Sequence, residues 1–185
     1  MHRIVQQMAH AMLEESGTPN TIWGEATHTA VNILNKAHVH VNSDKTLYEI
    51  WYGNLPTIKH FRFFGSKCFI ERDNKKFGKQ ARVQFNAKEG SASKPLELIH
   101  IDLCGPVRKK SPRGEQYHIL FIDDFSRMCW INLLKHKDEA FEKFKIFKDL
   151  VENELDLKTK CLRSDRGGEY ISDEFFDFCE HHGIK

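Results

Sequence analysis

The sequence predicts an α/β (α+β) protein: a mixed sheet flanked by helices, with a helical segment before it. Three runs of strand-forming residues, 96–103, 117–122 and 128–134, are separated by turn residues and predict an antiparallel meander. A helix with a phenylalanine-rich face follows, and a fourth strand at 158–163 and a helix capped by Ser172 complete the pattern. Apolar residues at helical spacing near the N terminus predict the preceding helical segment.

Three helices are predicted in that segment. The first ends at Ser16-Gly17, and the second begins at Thr18-Pro19, because proline is favoured at the first helical position. The third begins at Thr46, where Thr46 and Glu49 form a capping-box pattern. Residues 61–70 then predict one or two strands, and residues 73–93 lose periodicity. We therefore divide the chain into a helical segment at 1–77, a linker at 78–93 and a domain at 94–185.

The composition excludes few functions, but it indicates the cellular compartment. The chain has 185 residues, 40% of them hydrophobic, and a net charge of +2, which argues neither for nor against nucleic acid as a partner. The five cysteines are an odd number with no C-x-x-C spacing, and three lie inside apolar strand-like runs, so we interpret them as buried free thiols of a reducing compartment. The sequence shows no signal peptide and no long apolar run, which predicts an intracellular protein of the cytoplasm or nucleus without a membrane partner.

Two clusters of basic residues are candidates for phosphate contacts, although such clusters also occur on loops that contact only water. They comprise Arg72, Lys75, Lys76, Lys79 and Arg82 in the first cluster and Arg108, Lys109, Lys110 and Arg113 in the second.

Two aspartates stand where a carboxylate is unusual. Asp102 lies inside an apolar strand, between Ile101 and Leu103, and an ionised carboxylate there needs a partner, a metal or a shifted pKa. Asp165 lies where the fourth strand gives way to a Gly-Gly loop. Two such carboxylates on neighbouring strands would suit Mg²⁺, which prefers oxygen ligands. The alternative is structural: a strand aspartate paired with a buried arginine, and a loop aspartate that caps a turn.

The order of these elements is the ribonuclease-H-like one, and four motifs make the likeness specific. The second half of the chain resembles the integrase core of copia-type LTR retrotransposons through the segments Leu96-Glu-Leu-Ile-His-Ile-Asp-Leu-Cys-Gly-Pro106, Phe121-Ile-Asp-Asp-Phe-Ser-Arg127, Leu162-Arg-Ser-Asp-Arg-Gly-Gly-Glu-Tyr170 and Phe178-Cys-Glu-His-His-Gly-Ile-Lys185. Residues 3–77 are similar to the part of this family that normally follows the core, as in Lys45-Thr-Leu-Tyr-Glu-Ile-Trp-Tyr-Gly53. The resemblance therefore implies an incomplete integrase with its segments in permuted order.

The resemblance also implies a chemistry and its partners. In this family two Asp and one Glu bind the metal ions used for DNA integration, and the motifs place the two Asp roles on Asp102 and Asp165. We expect DNA and further integrase subunits as partners, and weakly bound Mg²⁺ or Mn²⁺ as the cofactor. No zinc is expected, because the eleven histidines form no ligand pattern with paired cysteines.

Whether the chain is an active enzyme is left open by the sequence. The family's third carboxylate, a Glu, has no counterpart in the motifs above, so we expect impaired catalysis in this chain alone. Glu14, Glu15 or another chain could supply a substitute. One alternative is a non-catalytic remnant of a rearranged element that binds nucleic acid or an integrase. A second is a rearranged reading frame without a selected function.

Overall fold

A computed structural model describes residues 1–66, 92–164 and 172–185. Its elements, in chain order, are helix α1 (His2–Ser16), a 3-10 turn (Asn20–Ile22), helices α2 (Trp23–Ala37) and α3 (Leu47–Tyr52), strands β1 (Ile99–Cys104), β2 (Tyr117–Asp123) and β3 (Cys129–Leu134), helix α4 (Glu139–Leu155), strand β4 (Leu162–Ser164) and helix α5 (Asp173–His181).

The four strands form one mixed sheet in the order β3-β2-β1-β4. Strands β1, β2 and β3 form the predicted antiparallel meander, and β4 pairs in parallel with β1 on the other side. The chain passes through α4 between β3 and β4. This mixed sheet with its helices confirms the predicted fold class.

Strand β2 has both of its faces covered, because helices lie on each side of the sheet. One face packs against α4 and α5, and Phe121 of β2 stacks on Phe147 of α4 with ring centroids 4.1 Å apart. The aromatic face predicted for α4 is thus core. Burial of such apolar area is the main favourable contribution to folding.

The opposite face of the sheet packs against α1 and α2. Leu120 and Ile122 of β2 share a buried cluster with Val5 of α1 and Leu34 of α2. The side chain of Asn35 fastens α2 to β3: its amide donates to the Cys129 carbonyl (2.7 Å) and its oxygen accepts from the Cys129 N–H (2.9 Å). The N-terminal helices therefore cover the sheet although they precede it in sequence.

Several predicted boundaries were wrong. Pro19 is extended and precedes the 3-10 turn, so α2 begins four residues later, at Trp23. Strand β4 spans only Leu162–Ser164, since the preceding backbone makes bonds outside the sheet, such as Lys160 N–H to the Leu96 carbonyl (3.0 Å). Residues 61–66 form no strand, and 67–70 lie outside the described residues.

The prediction that the cysteines are buried was only partly right. Of the four that the structure describes, all are free thiols, but only Cys129 is buried, and the other three are half-buried. Cys68 lies outside the described residues.

Most of the predicted linker also lies outside the described residues, because the structure does not describe residues 67–91. Among the described residues, none of the helices has the length and apolar character needed to cross a bilayer.

The capping box of α3 is present as predicted. Thr46 Oγ1 accepts from the Glu49 N–H (3.2 Å), and the Glu49 carboxylate accepts from the Thr46 N–H (2.9 Å). We expect Thr46→Ala to lower the free energy of unfolding by about 1 kcal/mol, because it removes the cap of a short helix. Urea denaturation measures the change, with Thr57→Ala, an exposed threonine after α3, as the control. Equal effects of the two substitutions would contradict the capping role.

Candidate active site

Asp102 lies on β1 at the side of the sheet where α1 begins. Its backbone is paired with Leu120 of β2, but its side chain is 42% exposed, so the carboxylate reaches solvent from within an apolar strand. The carboxylate contacts the imidazole of His2 in α1 (Oδ2 to Nδ1, 3.2 Å). The structural alternative, a buried arginine partner, is therefore not what the described residues show. A half-exposed carboxylate keeps oxygen atoms available for a cation.

Asp165 lies outside the described residues, but the strand that leads to it is described. Strands β1 and β4 run parallel, and their last described pair is Ile101 with Ser164. Each of these residues immediately precedes one of the two predicted aspartates in the sequence. The described pairing therefore ends one residue before each aspartate, and the closeness of the two carboxylates stays a prediction.

A second pair of acids, Asp123 and Asp124, serves the fold. Asp123 is fully buried at the end of β2 and accepts from the Leu96 N–H (2.9 Å), the Ser126 N–H (2.8 Å) and the Ser126 hydroxyl (2.7 Å). Burial raises the pKa of Asp123, against the opposing effect of these hydrogen bonds. These bonds hold the turn after β2 against the segment that leads into β1.

Asp124 joins that turn to β1. Its carboxylate contacts His100 Nε2 (2.8 Å) and an Arg127 guanidinium nitrogen (3.0 Å), and accepts from the Ala92 N–H (2.8 Å). Burial raises the pKa of Asp124, but the Ala92 and His100 hydrogen bonds and the charge of Arg127 outweigh it and hold the pKa below its usual value. Both acids therefore position the strand that carries Asp102.

A histidine–cysteine cluster beside Asp102 was not predicted from the sequence. His2 of α1, Cys104 of β1 and His118 of β2 bring one nitrogen or sulfur atom each within 4.8 Å of the others. His118 is 3% exposed, and burial, with smaller effects of His2 and His28, lowers its pKa to about 4. It is therefore neutral at pH 7. The pairing of Cys104 with His118 across β1 and β2 becomes visible only once the strand register is known.

The second basic cluster forms an exposed surface between β1 and β2. Arg108, Lys109, Lys110 and Arg113 are all exposed there. The loop has a defined shape, since the Trp23 indole N–H donates to the Lys109 carbonyl (3.0 Å) and the buried Ser111 accepts from the Arg113 N–H (3.2 Å). The first cluster lies outside the described residues; it comprises Arg72, Lys75, Lys76, Lys79 and Arg82.

The sheet has an antiparallel meander, a crossing helix, a parallel fourth strand and an acidic residue on the first strand. Together these features define a ribonuclease-H-like domain. Residues 92–185, half of the chain, match the model of the integrase core domain. The chain belongs to the integrase core domain family.

Its relatives are polyproteins of retrotransposons. The chain is 47% identical over 109 residues to the retrovirus-related Pol polyprotein from transposon TNT 1-94 of Nicotiana tabacum, covering 59% of this chain and 8% of that protein. It is 36% identical over 120 residues to the corresponding polyprotein from transposon RE2 of Arabidopsis thaliana, covering 64% of this chain and 8% of the relative. The chain thus spans less than a tenth of the length of these relatives.

Solved structures are also similar. The HTLV-2 integrase catalytic core domain in complex with magnesium aligns with a TM-score of 0.39 and 22% identity, over 49% of this chain and 59% of that one. A chain of the simian T-cell lymphotropic virus intasome in complex with a PP2A regulatory subunit aligns with a TM-score of 0.40 and 19% identity, over 49% of this chain and 33% of that one.

Proposed function

We propose that residues 92–185 are the core of a retrotransposon integrase that transfers DNA phosphodiester bonds with Mg²⁺ or Mn²⁺ held by Asp102 and Asp165. The observation that carries the proposal is the parallel pairing of β1 with β4 up to Ile101 and Ser164, beside a half-exposed Asp102. Oxygen donors on neighbouring strands fit Mg²⁺ and Mn²⁺. When bound, such an ion stabilises negative charge at phosphate oxygens and activates the attacking oxygen.

The residues around Asp102 have positioning roles in this proposal. Strand β1 fixes the backbone of Asp102 through its pairing with β2, and the Asp123 and Asp124 contacts fix the start of β1. The His2 imidazole orients the carboxylate through the 3.2 Å contact. Two carboxylates without a third would hold one ion weakly, so we expect weak binding of Mg²⁺ or Mn²⁺.

The position of α1 supports the proposal that residues 1–77 correspond to the segment that follows the core in the family. The first turn of α1 lies against Asp102, as a helix carrying the third carboxylate would have to do. The candidates for a substitute, Glu14 and Glu15, lie at the other end of α1. At 1.5 Å per residue, Glu14 is roughly 18 Å along the helix axis from His2. Neither is placed to complete the site, and we propose that this chain alone is impaired in catalysis.

Strand-transfer and nicking assays in Mn²⁺ test the proposed activity. We expect little activity from the 185-residue chain, and a large gain when its N terminus is extended by the family's Glu-bearing segment, because a carboxylate is then added to the first turn of α1. An extension with Gln in place of that Glu is the matched control. Activity of the unextended chain that depends on Asp102 would contradict the proposed impairment. DNA binding with no activity in either form would favour the non-catalytic alternative.

DNA binding is proposed to involve the exposed loop between β1 and β2. Four cations project there, and phosphate contacts by such side chains supply most of the affinity that does not depend on sequence. We expect Lys109→Gln with Lys110→Gln to weaken binding to duplex DNA and to reduce the slope of log K against log salt by about one for each phosphate interaction that is removed. Fluorescence anisotropy at several salt concentrations measures both quantities. Lys137→Gln, an exposed cation before α4, is the control, and an equal change in it would argue against a specific role for the loop.

A further inference from the structure

We propose that His2, Cys104 and His118 form a site for Zn²⁺ or a similar transition-metal ion, which joins α1 to β1 and β2 beside the proposed Mg²⁺ site. The three residues come from three separate elements, and their candidate ligand atoms lie within 4.8 Å of one another. Imidazole nitrogen and thiolate sulfur are ligands that select zinc-like ions, whereas Mg²⁺ prefers oxygen. The site is thus distinct in chemistry from the carboxylate site of the proposed function.

The spacing of the two imidazoles fits one ion. His2 Nε2 and His118 Nε2 are 3.2 Å apart. Two nitrogens bound at about 2.0–2.1 Å to a tetrahedral Zn²⁺ are separated by about 3.3 Å. The backbones of Cys104 and His118 are paired on adjacent antiparallel strands, which places the thiol beside the His118 imidazole.

The contact with Asp102 favours the tautomer of His2 in which Nε2, the nitrogen that faces the cluster, carries no proton. The Asp102 carboxylate can only accept a hydrogen bond when ionised, so the contact with His2 Nδ1 places the proton on that atom. The lone pair of His2 Nε2 then points towards His118. A carboxylate that orients a ligating histidine in this way is a recurring feature of zinc sites.

The surroundings shield the cluster from solvent. His118 is 3% exposed, and its Nε2, the candidate ligand atom, faces His2 inside the interface between α1 and the sheet. The Gln6 amide N–H donates to Cys104 Sγ (2.8 Å), which opposes the burial and the Asp102 charge that raise the pKa of this thiol. Three protein ligands leave the fourth tetrahedral position for water. The expectation of no zinc considered only histidines and cysteines that lie close together in the sequence. The three residues of this cluster lie far apart in the sequence, so that expectation did not cover them.

Titration of the metal-free 185-residue chain with Co²⁺ tests the site. We expect one equivalent to produce the thiolate-to-cobalt charge-transfer band and the visible absorption of tetrahedral Co²⁺, both displaced by Zn²⁺. Cys104→Ser should abolish the charge-transfer band. His118→Asn and the milder His2→Gln should weaken binding by at least about 10-fold, the lower end of the loss caused even by outer partners of a site. Cys161→Ser, another half-buried thiol, is the matched control and should leave the spectrum unchanged.

The outcome is separable from that of the proposed function. Asp165→Asn should weaken Mn²⁺ binding, followed by electron paramagnetic resonance, without changing the cobalt spectrum. Excess Mg²⁺ should not displace Co²⁺. Zn²⁺ should also raise the Tm of the wild-type chain and not that of Cys104→Ser. Absence of the charge-transfer band in the folded wild-type chain, or its survival in Cys104→Ser, would overturn the proposal.

Discussion

Asp102→Asn is expected to lower Mn²⁺-dependent nicking and strand transfer by about 10³-fold or more, measured in the chain extended by the Glu-bearing segment. The substitution keeps the shape of the side chain and removes the charge. The carboxylates of such a site act as a unit, so removal of one of the three is expected to abolish most of the activity and not only a third of it. The half-exposed position of Asp102 on β1 makes a large effect on folding unexpected.

Two comparisons show whether this loss arises at the site. Asp44→Asn, an exposed acid in the loop before α3, is the matched control and should retain full activity. Asp102→Asn should also bind Mn²⁺ more weakly while keeping its affinity for DNA, because DNA affinity depends on basic side chains. Normal Mn²⁺ binding in Asp102→Asn would show that Asp102 is not a ligand.

The sequence predicted the fold well where several signals agreed. The meander, the amphipathic α4 and the capped α3 and α5 each combine a hydrophobic period with a turn or cap residue, as at Thr46 and Ser172. The strand prediction at 61–70 rested on composition alone, and its described part, residues 61–66, forms no strand. Aromatic residues favour strands because their side chains pack well on a sheet surface. Their presence does not determine whether a segment finds a partner strand.

The candidate site was predictable in one part and not in another. Asp102 could be found because a charge inside an apolar strand is unusual in any register. The cluster of His2, Cys104 and His118 could not, since it depends on the α1 position and on the pairing of β1 with β2. The positioning roles of Asp123 and Asp124 were also hidden, because consecutive acids in a turn are ordinary unless their hydrogen bonds are known.

Glu152 in α4 forms a buried ionic network that supports the start of β4. Its side chain is 5% exposed and contacts Lys148 Nζ (3.2 Å), which is equally buried, and Lys158 Nζ (2.8 Å). It also accepts from the Thr159 N–H (2.9 Å), which ties α4 to the segment that leads into β4. This network therefore links helix packing to the strand that precedes Asp165.

We expect Glu152→Gln to lower the free energy of unfolding by about 3 kcal/mol, because the buried Lys148 ammonium then keeps only its longer contact with the exposed Asp149 carboxylate (3.7 Å). Urea denaturation of the two proteins measures the difference. Glu142→Gln is the matched control, since its pair with Lys145 lies on the exposed face of the same helix and should change stability by less than about 1 kcal/mol. A loss of similar size in both variants would contradict the role of burial.

Replacing both members of the buried pair distinguishes an unpaired charge from a lost attraction. Lys148→Met with Glu152→Leu should be markedly more stable than Glu152→Gln, because no charge is then left buried.

The pH dependence of the free energy of unfolding gives a second measurement of the role of Glu152. Burial raises the pKa of Glu152, but the bonds from Lys158, Thr159 and Lys148 outweigh it and hold the pKa below its usual value. The stabilisation is therefore present above the unfolded pKa, near 4.5, and is lost as pH falls through the folded pKa. Wild-type stability should consequently fall more steeply with acid below pH ~4.5 than that of Glu152→Gln.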